Sequence, residues 1–279
     1  MHNVLKTTTL SLLCTMWLTS GITAELQDHA PNLKDVRIIP MDPTPEPFHV
    51  RTRIEFPEEG SVQNSSVVSG QVRLEGYSLG TDSEFPRSKE IWNDPKGQGL
   101  HIFIDNQPYF EVNEALLDAL DDVEEYYDET ANFDLPGKLK SGMHVLRVFP
   151  VRSFNESLKG DKCFDARKFY YKEKIDDPNI DLKKPFLTYN EPQGEYDYGP
   201  QPLLLDFYLT NCDLSKDGYK VRLTIDENNQ RILTSWIPYY IYGLKKGAHK
   251  IRLELLDRQN DPVKMNKAFN DVTKALILR

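Results

Sequence analysis

Cysteine is scarce in this sequence, which has 3 cysteines among 279 residues. Cys14 lies in an apolar N-terminal stretch, so Cys163 and Cys212 are the pair that could form a disulfide in the rest of the chain. They fall in different copies of an internal repeat described below, so a bond between them would join two domains. Two separate and buried thiols are the favoured expectation, because unpaired cysteine is among the most buried residue types.

A surplus of basic residues is also lacking. Lysine and arginine total 34 against 43 aspartates and glutamates, which gives a formal net charge of -9. Affinity for nucleic acids rests mainly on lysine and arginine side chains that neutralise phosphates, and no basic stripe is present. We therefore expect no nucleic-acid partner.

Common catalytic and cofactor-binding motifs are absent. The sequence contains no G-x-S-x-G elbow, no P-loop, no G-x-G-x-x-G, no H-E-x-x-H and no C-x-x-C pair. These absences favour a protein that is not an enzyme, and we expect no cofactor and no metal.

The first 24 residues have the composition of a secretory signal. Lys6 precedes the apolar stretch LSLLCTMWL, and the small residues of SGITA precede the charged ELQDH. The apolar stretch is shorter than the roughly 20 residues that a membrane span needs. We therefore predict a signal peptide over residues 1–24, cleaved after Ala24, and an exported protein, periplasmic or secreted, that does not span the membrane.

The rest of the chain alternates short apolar runs with turn residues. GLHIFIDNQ (99–107) and YKVRLTIDENN (219–229) are examples, each with apolar residues at every second position. Regular short strands with this turn spacing are typical of antiparallel β-sandwiches. The sequence therefore predicts an all-β fold.

An internal repeat predicts two such sandwiches. LKSGMHVLR (139–147) matches LKKGAHKIR (244–252), with Leu, Lys, Gly, His and Arg at the same relative positions. Each copy follows a strand that ends in an aspartate, Asp105 or Asp226. We interpret the repeat as an internal duplication. The predicted segments are an extended leader (25–57), a first domain (58–173), a linker (174–184) and a second domain (185–279).

The first domain contains an acidic insertion, EALLDALDDVEEYYDET, between Asp105 and the LKSGMH motif. We expect it at a loop tip, with a short helix over residues 115–120. Its acidic residues lack the spacing of a calcium-binding EF-hand loop, so a solvated acidic loop is the favoured interpretation.

Three segments resemble immunoglobulin-like or fibronectin-type-III-like domains of uncharacterised exported bacterial proteins. They are IDNQPY, LKSGMHVLRVFPVRSFNESLK and LDFYLTNCDLSKDGYKVRLTIDE. The resemblance covers most of residues 60–279 and implies a tandem Ig-like fold in the cell envelope. The resemblance carries no established activity, and we expect an envelope protein or a glycan as the partner.

The segment FPVRSFNESLKGDKCF (149–164) is the most site-like stretch. Five of its residues concentrate hydrogen-bond donors and acceptors: Arg152, Ser153, Asn155, Glu156 and Ser157. His101, on a neighbouring strand, could complete a polar pocket with Arg152 and Glu156. The alternative is an ordinary loop whose side chains bond to its own backbone.

Histidines recur at matched places in the two copies. His101 corresponds to Arg222, and we expect both on a solvated outer face of a sheet rather than on a ligand-facing surface. His144 and His249 follow the glycine of each repeat. One histidine per domain does not make a metal site, so we expect each imidazole to bond to the turn backbone.

We interpret the protein as a non-catalytic binding or structural module, and two alternatives stay open. Trp236 and Tyr240, in SWIPYYIYGL (235–244), could form a platform for carbohydrate, although packing in the core is the favoured interpretation. A hydrolase with His101 and Glu156 as acid and base is the least favoured, because a nucleophile motif and metal ligands are missing.

Overall fold

The computed structural model describes residues 36–114, 116–117 and 128–279, with only the backbone given for Leu116, Leu117 and Asp128. The predicted signal peptide, the first part of the predicted leader and most of the acidic insertion lie outside the described residues. No helix within the described ranges has the length and apolar character needed to cross a membrane.

Short strands make up most of the described secondary structure, as the alternating pattern predicts. The first nine are β1 (Arg37–Pro40), β2 (Arg51–Phe56), β3 (Val62–Gln63), β4 (Ser69–Glu75), β5 (Gly99–Ile104), β6 (Phe110–Val112), β7 (Leu116–Leu117), β8 (Asp128–Asp134) and β9 (Gly142–Val151). The others are β10 (Asp165–Tyr171), β11 (Phe186–Glu191), β12 (Gly194–Tyr196), β13 (Leu203–Thr210), β14 (Lys220–Ile225), β15 (Asn229–Leu233), β16 (Tyr239–Tyr242), β17 (Gly247–Leu256) and β18 (Asp271–Leu278). A 3₁₀ helix spans Pro86–Lys89, and a one-turn helix, α1, spans Lys267–Asn270.

The first sandwich packs a four-stranded sheet, in the order β2-β4-β8-β7, against a five-stranded sheet, in the order β3-β10-β9-β5-β6. Alternate residues of β4, including Val72 and Leu74, point into the core. Leu100, Ile102 and Ile104 of β5 meet them from the other sheet. All five are at most 1% exposed, so this core stabilises the domain through the hydrophobic effect.

The second sandwich repeats this architecture with sheets in the orders β1-β16-β13-β11 and β12-β18-β17-β14-β15. Its core brings Leu205 and Phe207 of β13 against Val221, Leu223 and Ile225 of β14. The predicted all-β fold with two sandwiches is confirmed, and the described residues of both belong to one compact unit.

The predicted leader is divided between the two sandwiches. Strand β1 pairs antiparallel with β16 in the second sandwich, where Ile39 lies opposite Tyr240. Strand β2 pairs antiparallel with β4 in the first sandwich, where Thr52 lies opposite Leu74. Residues 41–50 therefore connect the two sandwiches near the start of the described chain.

The acidic insertion contributes a strand where a helix was predicted. Leu116 and Leu117 form β7, which pairs antiparallel with β8 so that Leu116 lies opposite Thr130. The helix predicted over residues 115–120 is therefore wrong at these two positions, because pairing with a sheet edge outweighs local helix propensity. The other residues of that prediction lie outside the described chain.

The first copy of the sequence repeat forms a corner closed by a histidine and an aspartate. Asp105 follows β5 with φ of 49°, and its carboxylate accepts a hydrogen bond from the Val145 amide at 2.9 Å. The other carboxylate oxygen lies 2.7 Å from His144 Nδ1. His144 Nε2 lies 2.7 Å from the carbonyl oxygen of Lys140, on the turn.

The second copy forms the same corner. Asp226 also has φ of 49°, and it accepts a hydrogen bond from the Lys250 amide at 2.9 Å. His249 lies 2.7 Å from the Asp226 carboxylate and 2.6 Å from the Lys245 carbonyl oxygen. The prediction that each imidazole bonds to the turn backbone is confirmed, and the matched geometry is what an internal duplication would leave.

Both ring nitrogens of each corner histidine face an acceptor, so the doubly protonated imidazolium fits the corner best. Burial lowers the pKa of His144, but the hydrogen bonds to Asp105 and the Lys140 carbonyl outweigh burial and raise the pKa above its usual value. The pKa of His249 is raised in the same way, with burial opposing the Lys245 and Asp226 hydrogen bonds.

Replacing His144 with glutamine should therefore lower stability in a pH-dependent way. A histidine whose folded pKa exceeds its unfolded value stabilises the fold below about pH 6.5, and this contribution is lost as pH rises through the folded pKa. Urea unfolding should show a deficit of about 1–2 kcal/mol at pH 5.5 that shrinks at pH 8.5. His249→Gln should lower stability with the same dependence on pH. A deficit that does not change with pH would contradict the charged corner.

Candidate functional site

The site-like loop predicted from the sequence is buried. Residues 152–159, the junction loop, follow β9 and contain four of the predicted site residues. Arg152, Ser153, Glu156 and Ser157 are each at most 2% exposed. A loop buried to this extent has to satisfy its polar groups internally.

The junction loop has a local counterpart in the second sandwich. Both turns are closed by a backbone hydrogen bond of 2.9 Å, from Arg152 N to Glu156 O in the first copy and from Asp257 N to Asp261 O in the second. Both place an asparagine at positive φ, Asn155 at 62° and Asn260 at 68°. The second turn is exposed at residues 258–261, so the two copies differ in burial rather than in backbone path.

Glu156 holds the N-terminal segment and the 3₁₀ helix. Its carboxylate accepts hydrogen bonds from the Thr44 amide at 3.2 Å and the Thr44 hydroxyl at 2.7 Å, and it forms an ion pair with Arg87. Burial lowers the pKa of Arg87, but the charge and hydrogen bond of Glu156, together with those of Tyr240, outweigh burial and raise the pKa. Glu156 is therefore engaged in a buried ion pair.

Arg152 lies beside Glu156 but bonds to other groups. Its Nη2 donates to the carbonyl oxygens of Pro45 at 2.6 Å and Thr44 at 3.4 Å. Its guanidinium carbon lies 4.8 Å from the centre of the Phe85 ring. Among the described residues, Arg152 Nε has no hydrogen-bond partner. Arg152 is a buried cation whose described hydrogen bonds go to neutral acceptors.

The two serines of the junction loop have separate partners. Ser153 exchanges hydrogen bonds with Ser83, from backbone amide to hydroxyl in each direction at 3.0 and 3.1 Å. The Ser157 hydroxyl accepts a hydrogen bond from Lys159 Nζ at 2.9 Å. Ser153 therefore anchors the segment before the 3₁₀ helix, whereas Ser157 faces the second sandwich.

Asp206 of β13, in the second sandwich, forms the main contacts with the junction loop. Its carboxylate lies 2.5 Å from Lys159 Nζ and accepts the Ser157 amide at 3.3 Å. Asn190 of β11 donates to Asp206 and to the Asn155 carbonyl, both at 2.8 Å. Asp206 and Asn190 are fully buried, so the junction loop joins the sandwiches through a buried polar network.

His101 belongs to this junction and not to an outer face. It is fully buried, its Nδ1 lies 2.7 Å from Asn190 Oδ1, and its ring stacks on Tyr109 with centres 3.7 Å apart. Burial lowers its pKa to about 3, although the Asn190 hydrogen bond acts in the opposite direction. The outer-face prediction is wrong for His101, because the second sandwich covers this face. Its counterpart Arg222 is partly exposed and pairs with Glu254.

The predicted polar pocket of His101, Arg152 and Glu156 does not form. No described hydrogen bond joins His101 to either of the others, since His101 bonds across the junction to Asn190. The acid–base pair that the hydrolase alternative requires is therefore absent from the described contacts.

The predicted aromatic platform is also enclosed. Tyr240 is 1% exposed and donates from its hydroxyl to Glu90 at 2.7 Å. Trp236 is partly buried, and its Nε1 donates to the Phe207 carbonyl oxygen at 2.8 Å. The favoured expectation of core packing is confirmed for both residues.

Glu191 is a buried carboxyl group that the sequence pattern did not reveal. It is 2% exposed and accepts hydrogen bonds from the hydroxyls of Tyr109 and Tyr196 and, at 3.1 Å, from Asn155 Nδ2. Burial raises its pKa to about 7, although these hydrogen bonds act to lower it. No sequence signal marks it, because Tyr109 and Asn155 come from segments distant in sequence.

The cysteines are separate thiols. Cys163 is buried in the core of the first sandwich, and Cys212 packs at the edge of the second core. Burial raises the pKa of each thiol to about 12. The two thiols are separate as expected, but only Cys163 is buried as predicted, since Cys212 is partly exposed.

Two openings lie next to the junction loop. A cleft of about 640 Å³ is lined by Arg152, Phe85 and the segment around Phe48. A slot of about 20 Å³, room for about one water-sized group, is lined by Asn155 and Trp92. Within the described chain no group of three His, Cys, Asp or Glu side chains is arranged to hold a metal ion.

Comparisons with known proteins find similarity in fold alone. No protein-family model and no curated protein matches the chain. The fibronectin(III)-like modules of Clostridium thermocellum CbhA are similar with a TM-score of 0.27 at 12% identity, over 82% of this chain and 94% of that one. The adhesin InvE of Yersinia pseudotuberculosis is similar with a TM-score of 0.20 at 11% identity, over 81% of this chain and 58% of that one. CBD12 from CALX1.2 is similar with a TM-score of 0.21 at 7% identity, over 82% of this chain and all of that one.

Proposed function

We propose that this protein is an exported module that binds other molecules without catalysing a reaction. The enclosure of the pair that a hydrolase would use supports this most: His101 and Glu156 are at most 2% exposed and are bonded within the junction. A catalytic acid or base has to come within hydrogen-bond reach of its substrate, which enclosed groups do not offer. The open cleft and the slot beside the junction loop remain for binding.

The proposal of export rests on the N-terminal sequence. Lys6, the apolar stretch after it and the small residues ending at Ala24 have the order of a cleaved signal. Protein recovered from the envelope or the medium should begin at Glu25, as intact-mass measurement would show. A mature protein that retains residues 1–24 would contradict a cleaved signal.

The binding function can be tested by a thermal-shift screen of residues 25–279 against glycans, peptidoglycan fragments, divalent metals and small organic anions. A ligand that binds the folded state alone raises the melting temperature, with about 2.7 kcal/mol of stabilisation at 100 times its Kd. We expect at least one ligand class to raise the melting temperature and to be recovered unchanged by mass spectrometry. Recovery of a converted product would contradict the non-catalytic proposal.

Carbohydrate recognition is a second candidate, centred on Trp92 instead of Trp236. Trp92 is 46% exposed and lines the slot with Asn155, which is 7% exposed and whose Oδ1 has no partner among the described residues. An exposed indole face offers a stacking surface for a sugar ring. In the glycan arm of the screen, Trp92→Phe should abolish any ligand-induced fluorescence change and Trp236→Phe should retain it.

A further inference from the structure

The cleft beside the junction loop combines apolar walls with a buried cation. Pro45, Pro47, Phe48, Tyr77 and Phe85 contribute the apolar lining. Arg152 also lines the cleft, although it is only 2% exposed. Ligand sites in proteins are typically apolar clefts of roughly 300–1,000 Å³ with a few placed polar groups, and this cleft holds about 640 Å³.

The charge of Arg152 is not balanced by a carboxylate in direct contact. Its Nη2 donates to two backbone carbonyls, and its Nε has no partner among the described residues. The nearby Glu156 is taken by Arg87 and Thr44. A buried cation without a paired anion is costly, so an anion at this position gains more than it would in water.

Glu46 is the acidic residue that lines the same cleft. It is exposed, and its Oε1 accepts the Lys159 backbone amide at 3.1 Å, which holds the carboxylate toward the end of the junction loop. Described ion pairs do not join Glu46 to Arg152. The Arg152 charge therefore lies at the wall of the cleft without a carboxylate in direct contact.

Phe48 supplies the second recognition element. It is 87% exposed, the highest value among the large hydrophobic side chains of the described chain. Covering an exposed aromatic ring with an apolar surface is favourable at roughly 25 cal/mol per Å². A ligand that meets both Phe48 and Arg152 has to carry an apolar body and a negative group.

We infer that the cleft binds a free carboxylate carried on an apolar or aromatic body, with Arg152 holding the carboxylate and Phe48 covering the apolar part. An arginine fork matches the planar geometry of a carboxylate. This chemistry occurs at the C-terminus of a peptide that ends in an apolar residue and in small aromatic acids. The inference deepens the proposed binding function and rests on it.

Isothermal titration calorimetry of residues 25–279 with matched probes tests the inference. N-acetyl-phenylalanine should bind, and N-acetyl-phenylalanine amide, which lacks the carboxylate, should bind at least about tenfold more weakly. Acetyl-Ala-Ala-Phe and phenylpropanoate then distinguish a peptide C-terminus from a small acid, according to which binds more tightly. Equal affinity for the acid and the amide, or no binding of any of the acids, would overturn the inference.

Variants locate the site. Phe48→Ala removes an exposed ring and should leave the melting temperature unchanged while weakening N-acetyl-phenylalanine by about tenfold. Tyr198→Ala, which removes another exposed ring outside this cleft, should bind as the wild type does. Arg152→Gln should abolish the preference for acid over amide. If Arg152→Gln does not fold, Phe48→Ala and the acid–amide comparison still decide.

Failure of this inference and failure of the proposed function give different results. If Phe48→Ala bound the probes as tightly as the wild type, the probes would bind outside this cleft. That result would overturn the assignment of the site to the cleft. A different result is that the protein binds none of the four probes and is still stabilised by a glycan or another ligand in the thermal-shift screen. That result would overturn the proposed ligand class and leave the proposed binding function intact.

Discussion

Replacing Glu156 with alanine should lower the free energy of unfolding by about 3–5 kcal/mol, as expected when one partner of a buried ion pair is removed. The variant leaves the Arg87 guanidinium, whose side chain is 9% exposed, without its carboxylate partner. It also removes the acceptor of the Thr44 amide and hydroxyl. Urea unfolding at pH 7, followed by circular dichroism, measures the change.

The control for this prediction is a pair at the surface. Glu55 forms an ion pair of 2.6 Å with Arg53, and the two side chains are 30% and 51% exposed. Glu55→Ala should cost about 1 kcal/mol or less, because water screens exposed pairs. The double variant Arg87→Met with Glu156→Leu should recover much of the loss, since it removes both charges of this buried pair together. Equal losses for Glu55→Ala and Glu156→Ala would contradict the buried-pair account.

Replacing Asp206 with alanine should uncouple the two sandwiches. Asp206 is fully buried and is the shared acceptor of Lys159, Asn190 and the Ser157 amide. Losing this carboxylate removes an acceptor shared by three donors and leaves the mostly buried Lys159 ammonium without its ion-pair partner, at a cost of about 3–5 kcal/mol. The lost interactions join the two sandwiches and do not belong to either core. We therefore expect the two sandwiches of the variant to unfold at different urea concentrations.

Fluorescence can resolve this separation, because Trp92 reports from the loop after the 3₁₀ helix and Trp236 from the second sandwich. In Trp92→Phe and Trp236→Phe backgrounds, the protein with Asp206 should show coincident urea transitions. The Asp206→Ala variants should show two midpoints. Asp161→Ala, which changes an exposed residue just after the junction loop, should keep the transitions together. Coincident transitions at an unchanged midpoint in Asp206→Ala would contradict the coupling role.

Local features of the structure could be predicted well from the sequence. The alternation in GLHIFIDNQ predicted β5, and the matched LKxGxH turns predicted the histidine contacts at both corners. Strand alternation and turn chemistry depend on residues close in sequence, which is why these predictions were right. The repeat added an internal check, because each copy predicted the same corner.

The contacts of the junction could not be predicted in the same way. His101 alternates along β5 as an outward-facing residue would, yet Asn190, distant in sequence, bonds to it. The leader looked like a separate extended segment, yet β1 pairs in one sandwich and β2 in the other. Sequence periodicity shows that a strand has two faces, but it does not show which other strand covers the outer one.

The two matched turns, at Asn155 and Asn260, separate what the sequence determines from what the tertiary structure determines. By itself the sequence determined the all-β fold and the two sandwiches. Asn155 and Asn260 both adopt the positive φ that this turn requires. Tertiary structure alone decided that the turn at Asn155 is buried and bonded to Asn190, whereas the turn at Asn260 is exposed. The physical reason is that backbone conformation follows from local sterics and hydrogen bonds, whereas burial depends on which distant surface packs against the turn.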